Sequence, residues 1–325
     1  MSSQANKNFQ ITVTDNTPVV KVPDRLSILE AVSFKETCHQ LLEKHHSAQQ
    51  IIFDFAQTQF IDSSGIGALV HNLKATQSQG VKLKLKDVHP PVMAVLSMTG
   101  LDEVFQISTA QTADFSSTQP PETHPSVRSK VKRLMDIVGS LVGLGITALA
   151  FVPIAIAIRR DSRGPLFFGQ VRCGWMGKRF RIWKFRSMCA DAEARKSEVV
   201  NQISGALFKN DNDPRVTQVG RFLRRTSLDE LPQFWNVLKG EMSLVGTRPP
   251  TPDEVERYEV PEWQRLDVKP GMTGEWQVHG RSQIRNFEEV IQLDLRYQKN
   301  WSLSYDVALI LKTIAILFQK NSGAV

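Results

Sequence analysis

The chain has 325 residues, 41% hydrophobic and 22% charged, which allows two domains with separate cores and excludes a disordered, collagenous or disulfide-rich protein. Its three cysteines, Cys38, Cys173 and Cys189, are scattered, which excludes a disulfide framework or zinc spacing and favours a reducing compartment. The net charge of +7 is uneven: residues 1–125 hold 9 basic and 12 acidic side chains, leaving 31 basic and 21 acidic for the rest, so the second part should meet lipid headgroups, nucleotide phosphates or nucleic acid.

The first ten residues, MSSQANKNFQ, lack the apolar core of a secretory signal. Strand character follows at Phe9–Thr14 and Val19–Val22, then a helical spacing of apolar residues over Leu29–His45. Ile51–Phe55 is an apolar run of strand length, and Ser63–Ser78 is helical. Val81–Lys86 alternates as a half-exposed strand, and Val92–Met98 follows Pro90-Pro91 as a short helix. This alternation predicts an α/β layer fold over residues 1–107. Residues 108–127 are rich in Ser, Thr, Gln and Pro and read as a flexible linker to a second domain over 128–325.

Leu134–Ile158 is the most apolar stretch, with Asp136 its only charge. As a straight helix it would be about 37 Å long, against a hydrocarbon core of about 30 Å. Basic residues flank both ends: Arg128, Lys130, Lys132 and Arg133 before, Arg159, Arg160 and Arg163 after. Positive charge favours the cytoplasmic side, and Pro153 is expected to break or kink the helix. A re-entrant helix satisfies both facts; a spanning helix and a buried core helix are the alternatives. Strands are expected at Leu166–Phe168 and Arg179–Phe185, with a polar helix and loop over 189–210. Val307–Phe318 is a further apolar helix, suited to the lipid interface or to a core.

The densest chemistry lies in Arg224-Arg225-Thr226-Ser227-Leu228-Asp229-Glu230-Leu231-Pro232. Ser227 and Glu230 have capping-box spacing, which predicts a helix start with free N–H groups and a partial positive charge. Such an end holds carboxylates ionised and binds phosphate. Two adjacent acids there could supply a nucleophile and a Mg2+ ligand; alternatively, they only cap the helix.

The neighbouring segments narrow this choice. They are Gly164-Pro165 through Gln170, Lys184-Phe185-Arg186-Ser187-Met188, Asn212-Asp213-Pro214-Arg215, Gly240-Glu241-Met242-Ser243 leading to Thr247-Arg248-Pro249-Pro250, and Lys269-Pro270-Gly271-Met272-Thr273-Gly274. The series, in this order over about residues 130–325, resembles the bacterial sugar transferase family, the monotopic polyprenyl-phosphate phosphoglycosyl transferases. The resemblance implies a membrane-associated α/β domain with a re-entrant helix, at the cytoplasmic face of the bacterial inner membrane. It implies that Asp229 attacks the sugar-linked phosphate of a UDP-sugar, that UMP leaves, and that polyprenyl phosphate then takes the phosphosugar, initiating surface or exopolysaccharide synthesis. Glu230 would position groups or accept a proton, Mg2+ would sit at Asp229, and Lys184, Arg186, Arg224 and Arg248 would support or bind phosphate. Glu275 departs from the pattern, since relatives often carry an apolar residue there.

Phe60-Ile61-Asp62-Ser63-Ser64-Gly65-Ile66-Gly67 joins a predicted strand to a helix and resembles the phosphorylation loop of STAS domains. The resemblance covers about residues 8–107 and makes Ser63 the phosphoacceptor candidate, with a kinase or regulatory protein as partner. A constitutive docking module, a ligand site, or simple capping by Asp62, Ser63 and Ser64 are the other readings. For the whole chain, an active transferase competes with a membrane-tethered STAS adaptor carrying an inactive transferase remnant. Nucleic acid is set aside, because the basic residues flank apolar segments and no nucleic-acid motif occurs.

Overall fold

A computed structural model describes residues 9–14, 16–45, 48–109, 123–202, 210, 212–279, 284 and 286–317. The chain divides into two compact units. The first holds the residues up to Thr123 together with Met176–Lys178 and Tyr258–Asp267; the second holds the remainder.

The first unit contains β1 (Gln10–Thr14), β2 (Thr17–Lys21), β3 (Arg25–Leu26), α1 (Ile28–Lys44), β4 (Gln50–Asp54), β5 (Phe60–Ile61), α2 (Ser63–Ser78), β6 (Lys82–Val88), α3 (Pro90–Thr99) and β7 (Gln106–Thr109). Five strands form one sheet in the order β1-β2-β4-β6-β7. The β1–β2 pair is antiparallel and the other pairs are parallel. Each parallel step crosses over through a helix, as such a connection requires. Alternate residues of the strands are buried, Val20, Ile51, Phe53, Leu83 and Leu85, as are Phe34 and Leu41 of α1 and Ile66 and Leu69 of α2, and the Phe34 and Phe53 rings pack together. The ends are specified locally. Ser27 and Glu30 form the capping box of α1, Asp62 caps α2, and Gly100, with φ of +75°, closes α3. Within the segment expected as a linker, β7 runs to Thr109 and helix α4 (Pro125–Arg128) opens the second unit; residues 110–122 lie outside the described residues.

In the second unit, α5 (Lys130–Asp161) is followed by the hairpin β8 (Phe167–Cys173) and β9 (Arg179–Phe185). Then come α6 (Gln218–Arg225), α7 (Gln233–Lys239), β10 (Ser243–Val245), α8 (Pro252–Val255), β11 (Gly271–Thr273), α9 (Glu275–Val278), α10 (Phe287–Lys299) and α11 (Leu303–Leu317). The polar helix expected over 189–210 does not form among the described residues. That segment is turns with a 3-10 stretch at Lys196–Glu198, and 203–209 lie outside them. Of its described apolar side chains, Ala192 and Val199 are the buried ones, a small face for a helix to form on.

Helix α5 runs 32 residues through Pro153 as one element, so the expected break there is not seen. One stripe, Lys132, Asp136, Ser140 and Gly143, is buried, and so are Ile154 and Ile158 near the other end. Gly139 and Gly143 let neighbours approach: a Cβ would lie 2.5 Å from Leu244 and 2.4 Å from the Phe234 ring. Arg133 donates to the carbonyls of Val237 and Leu238 at the end of α7. At the far end Ile154 and Ile158 pack with Phe185 and Leu223. Both ends are therefore held by the same unit. The opposite face exposes Leu134, Val138, Leu141, Leu149, Val152 and Ile156. On α11, Val307, Leu311, Ile314 and Leu317 form a similar exposed apolar stripe. Glu275, the departure from the family pattern, is buried between His279, 2.6 Å away, and the Tyr305 hydroxyl.

Candidate functional site: acids and cations around a tight turn

The acidic pair sits differently from the capping-box expectation. Helix α6, capped by Thr217, carries Arg224 and Arg225 in its last turn. Ser227 then takes φ of +56°, in the left-handed region, and its side chain makes no cap. An N-cap serine needs extended backbone, so this turn ends α6 instead of starting a helix. Leu228–Glu230 form a 3-10 turn, and α7 begins only at Gln233 behind Pro232. The acids thus lie in the tight connection between two helices.

Asp229 is buried, with 5% of its surface exposed. Glu230 pairs with Lys184 of β9 at 3.0 Å. Arg224 donates its Nε to Ser187 Oγ at 3.0 Å. Burial lowers the pKa of Arg224, while the charges of Asp229, Asp213 and Glu230 act in the opposite sense. Arg248 makes a two-pronged pair with Glu254, 2.8 and 3.1 Å, and its guanidinium stands 5.8 Å from the Trp276 ring centre. Burial raises Glu254, but the charge and hydrogen bonds of Arg248, the Arg172 charge and the Thr251 N–H together outweigh it, and the carboxyl ends below its ordinary pKa. Asn236 ties α7 to β9, accepting from the Trp183 N–H and donating to the Arg181 carbonyl.

Arg172 belongs to this group, although its residue type alone did not single it out. It donates to the Pro249 carbonyl and to Gln170 Oε1. Burial and the Arg248 charge bring its pKa down to about 10, against the pull of Glu254 and Glu230. The register of the hairpin pairs Lys184 with Phe168 and Arg172 with Phe180, which puts Gln170, Arg172 and Lys184 on one face. Strand alternation continued past Phe168 was the signal for it.

Of the residues singled out from the sequence, the structure groups Asp229, Glu230, Lys184, Arg224 and Arg248, with Arg172 added. Arg186, also singled out from the sequence, is not brought into this group. Its terminal nitrogens donate to the carbonyls of Ser162 and Arg163, closing the end of α5. A guanidinium at a helix C-terminus stabilises that end. A cavity of about 420 Å³ that shares Arg224 with this group is lined also by Asn212, Asp213, Gln218, Arg221 and Arg225. Its cationic rim suits a phosphate-bearing ligand. Asp213 is fixed by Arg215 at 2.6 Å. Among the described residues no cluster of three or more His, Cys, Asp or Glu could hold a metal by itself.

Ser63, in the first unit, is fully buried at the start of α2. Asp62 beside it accepts from the Gly65 N–H, yet burial and the nearby Asp267 push its pKa up to about 7. A carboxyl raised in the folded state favours folding when protonated, so its contribution falls as pH rises from about 4 to about 7 and stays low above that. Asp62→Asn should flatten the wild-type loss of thermal stability between pH 5 and pH 8. Parallel melting curves for the two proteins that decline equally would contradict this.

A family model described as bacterial sugar transferase matches residues 127–320, and a STAS domain model matches residues 8–114. The galactosyl transferase CpsE of Streptococcus agalactiae is 50% identical over 191 residues, 57% of this chain and 42% of its own. The undecaprenyl-phosphate galactose phosphotransferase of Salmonella typhimurium is 43% identical over 199 residues, 59% of this chain and 41% of its own. The exopolysaccharide production protein ExoY of Rhizobium meliloti is 36% identical over 212 residues, 62% of this chain and 93% of its own. The chain thus spans about two fifths of the length of the first two relatives.

Proposed function

The chain belongs to the bacterial sugar transferase family and carries a STAS domain, and from that premise we propose that it transfers a sugar-1-phosphate from a UDP-sugar to polyprenyl phosphate. The observation that carries the reading is the buried Asp229 set among Lys184–Glu230, Arg224 and the Arg172–Arg248–Glu254 group. In the first half-reaction an Asp229 oxygen bonds to the sugar-linked phosphorus, and the bond to UMP breaks. In the second, an oxygen of polyprenyl phosphate bonds to that phosphorus, and the Asp229 carboxylate is released. Splitting the transfer lets one phosphate site serve a soluble donor and a greasy acceptor in turn.

Glu230, held by Lys184, takes the acceptor's proton in this reading. Arg224, Arg248 and Arg172 stabilise the charge on the phosphate oxygens. Mg2+ is usually held by one or two carboxylates plus substrate phosphates, and the donor set fits an ion that arrives on the diphosphate, with Asp229 as its protein ligand. Bound there, Mg2+ would neutralise part of the diphosphate charge. The exposed apolar faces of α5 and α11 and the basic residues at both ends of α5 suit a helix that dips into one leaflet from the cytoplasmic face of the bacterial inner membrane. The product is the lipid-linked sugar that starts surface or exopolysaccharide synthesis.

The test is a panel of UDP-sugars with undecaprenyl phosphate and Mg2+, with the lipid product identified by mass. At least one sugar should give a lipid diphosphosugar with UMP released in equal amount. No lipid product with any sugar would favour the adaptor reading.

A further inference from the structure

The first unit contains a segment that its sequence position would not assign to it. Tyr258–Asp267 falls between Glu254, the partner of Arg248, and Val268, a core residue of the second unit. By packing, however, it belongs with the STAS strands and helices. Residues 260–266 form a 3-10 stretch, in which Trp263 is buried. The segment follows one stripe of α2. Ser63 Oγ lies 2.7 Å from the Trp263 carbonyl and 2.5 Å from Asp267 Oδ1, and the Ser63 N–H donates to the same carboxylate oxygen at 3.0 Å. One turn on, the Trp263 indole covers Gly67, where a Cβ would be 2.5 Å from its Cγ. At the next turn His71 Nε2 is 2.7 Å from the Tyr258 carbonyl. Positions 63, 67 and 71 are four apart and share one helix face. Lys35 of α1 adds an ion pair to Glu259 at 2.5 Å.

We propose that Tyr258–Asp267 is an intramolecular ligand that occupies the docking face of the STAS unit, and that a negative charge placed on residue 63 ejects it. The local charges supply the reason. Ser63 sits between Asp62 and Asp267, with Glu30 also acting on Asp62, and Asp267 is raised above its ordinary pKa by burial. A carboxylate or phosphate at position 63 would stand at contact distance from the Asp267 carboxylate in a site closed to water, where like charges repel strongly. In the closed state the Ser63 hydroxyl has no exposed surface, so a kinase reaches it only after the segment has left. Segment and modification therefore compete for the same face. This proposal does not depend on the transfer reaction.

Hydrogen exchange of the full-length protein, read by mass spectrometry, tests it. Ser63→Asp should speed exchange over 258–267 at least tenfold while β4 and β6 keep wild-type protection, and adding Asp267→Asn should recover most of that loss. A folded Ser63→Asp protein with unchanged exchange over 258–267 overturns the proposal. If Ser63→Asp also loosens β4 and β6, Trp263→Ala decides, because it leaves the STAS sequence intact. Faster exchange over 63–71 with β4 and β6 still protected supports the ligand; unchanged protection over 63–71 overturns it.

Discussion

Asp229→Asn should lower sugar-phosphate transfer by on the order of 10³-fold or more, the scale of removing a covalent nucleophile. The substitution keeps the shape of a side chain that is 5% exposed, so the turn between α6 and α7 should hold. Two readouts separate a lost nucleophile from a damaged site. With a UDP-sugar and no lipid acceptor, the wild type should release about one UMP per enzyme and retain the phosphosugar; Asp229→Asn should release none above background. Equal UMP release by both proteins would remove Asp229 from the reaction. A variant that binds UDP-sugar as the wild type does but fails to release UMP would place its defect in bond making.

Asp306→Ala should destabilise the protein by about 3–5 kcal/mol, because it leaves a buried cation without its partner. Lys132 Nζ lies 2.6 Å from Asp306 Oδ2, with side-chain exposures of 4% and 0%. The Tyr297 hydroxyl donates to the same carboxylate at 2.8 Å, and Trp301 Nε1 at 3.1 Å. Lys132 also donates to the Val245 carbonyl. One carboxylate thus ties the start of α5 to α10, α11 and β10. For a unit of this size the loss corresponds to a fall in Tm on the order of 10 °C. A fall of 2 °C or less in a thermal melt would mean that Lys132 finds another partner or leaves the interior.

Local patterning made much of the fold legible. Strand character placed β1, β2, β4 and β6, though not β3 or β7, helical patterning placed α1 and α2, and Asp62 caps the helix that the Asp62-Ser63-Ser64 run suggested. Failures came where distant parts of the chain override local preference. Ser227 and Glu230 have the spacing of a capping box, but the tight connection from α6 to α7 puts Ser227 at positive φ. Arg186 lies two residues after Lys184, where continued alternation would put it on the same face, but β9 ends at Phe185 and the guanidinium turns to the end of α5. Arg172 was hidden because β8 continues well beyond the three residues that its apolar run marks. The docking of Tyr258–Asp267 on α2 joins positions about two hundred residues apart, and no local periodicity encodes such a pairing. Only the small residue at position 67 hints that something must lie close to that turn.

Helix α5 has the apolar content of a membrane span, but it is not free to behave as one. A lone span answers to the thickness of its bilayer by tilting, or by thinning or thickening the lipid around it. Here Lys132 and Arg133 fasten one end and Ile158 the other to the same folded body. In the membrane-dipping arrangement proposed above, its immersion depth would follow from the protein's own architecture, and lipids of different chain length would have to adjust to the helix.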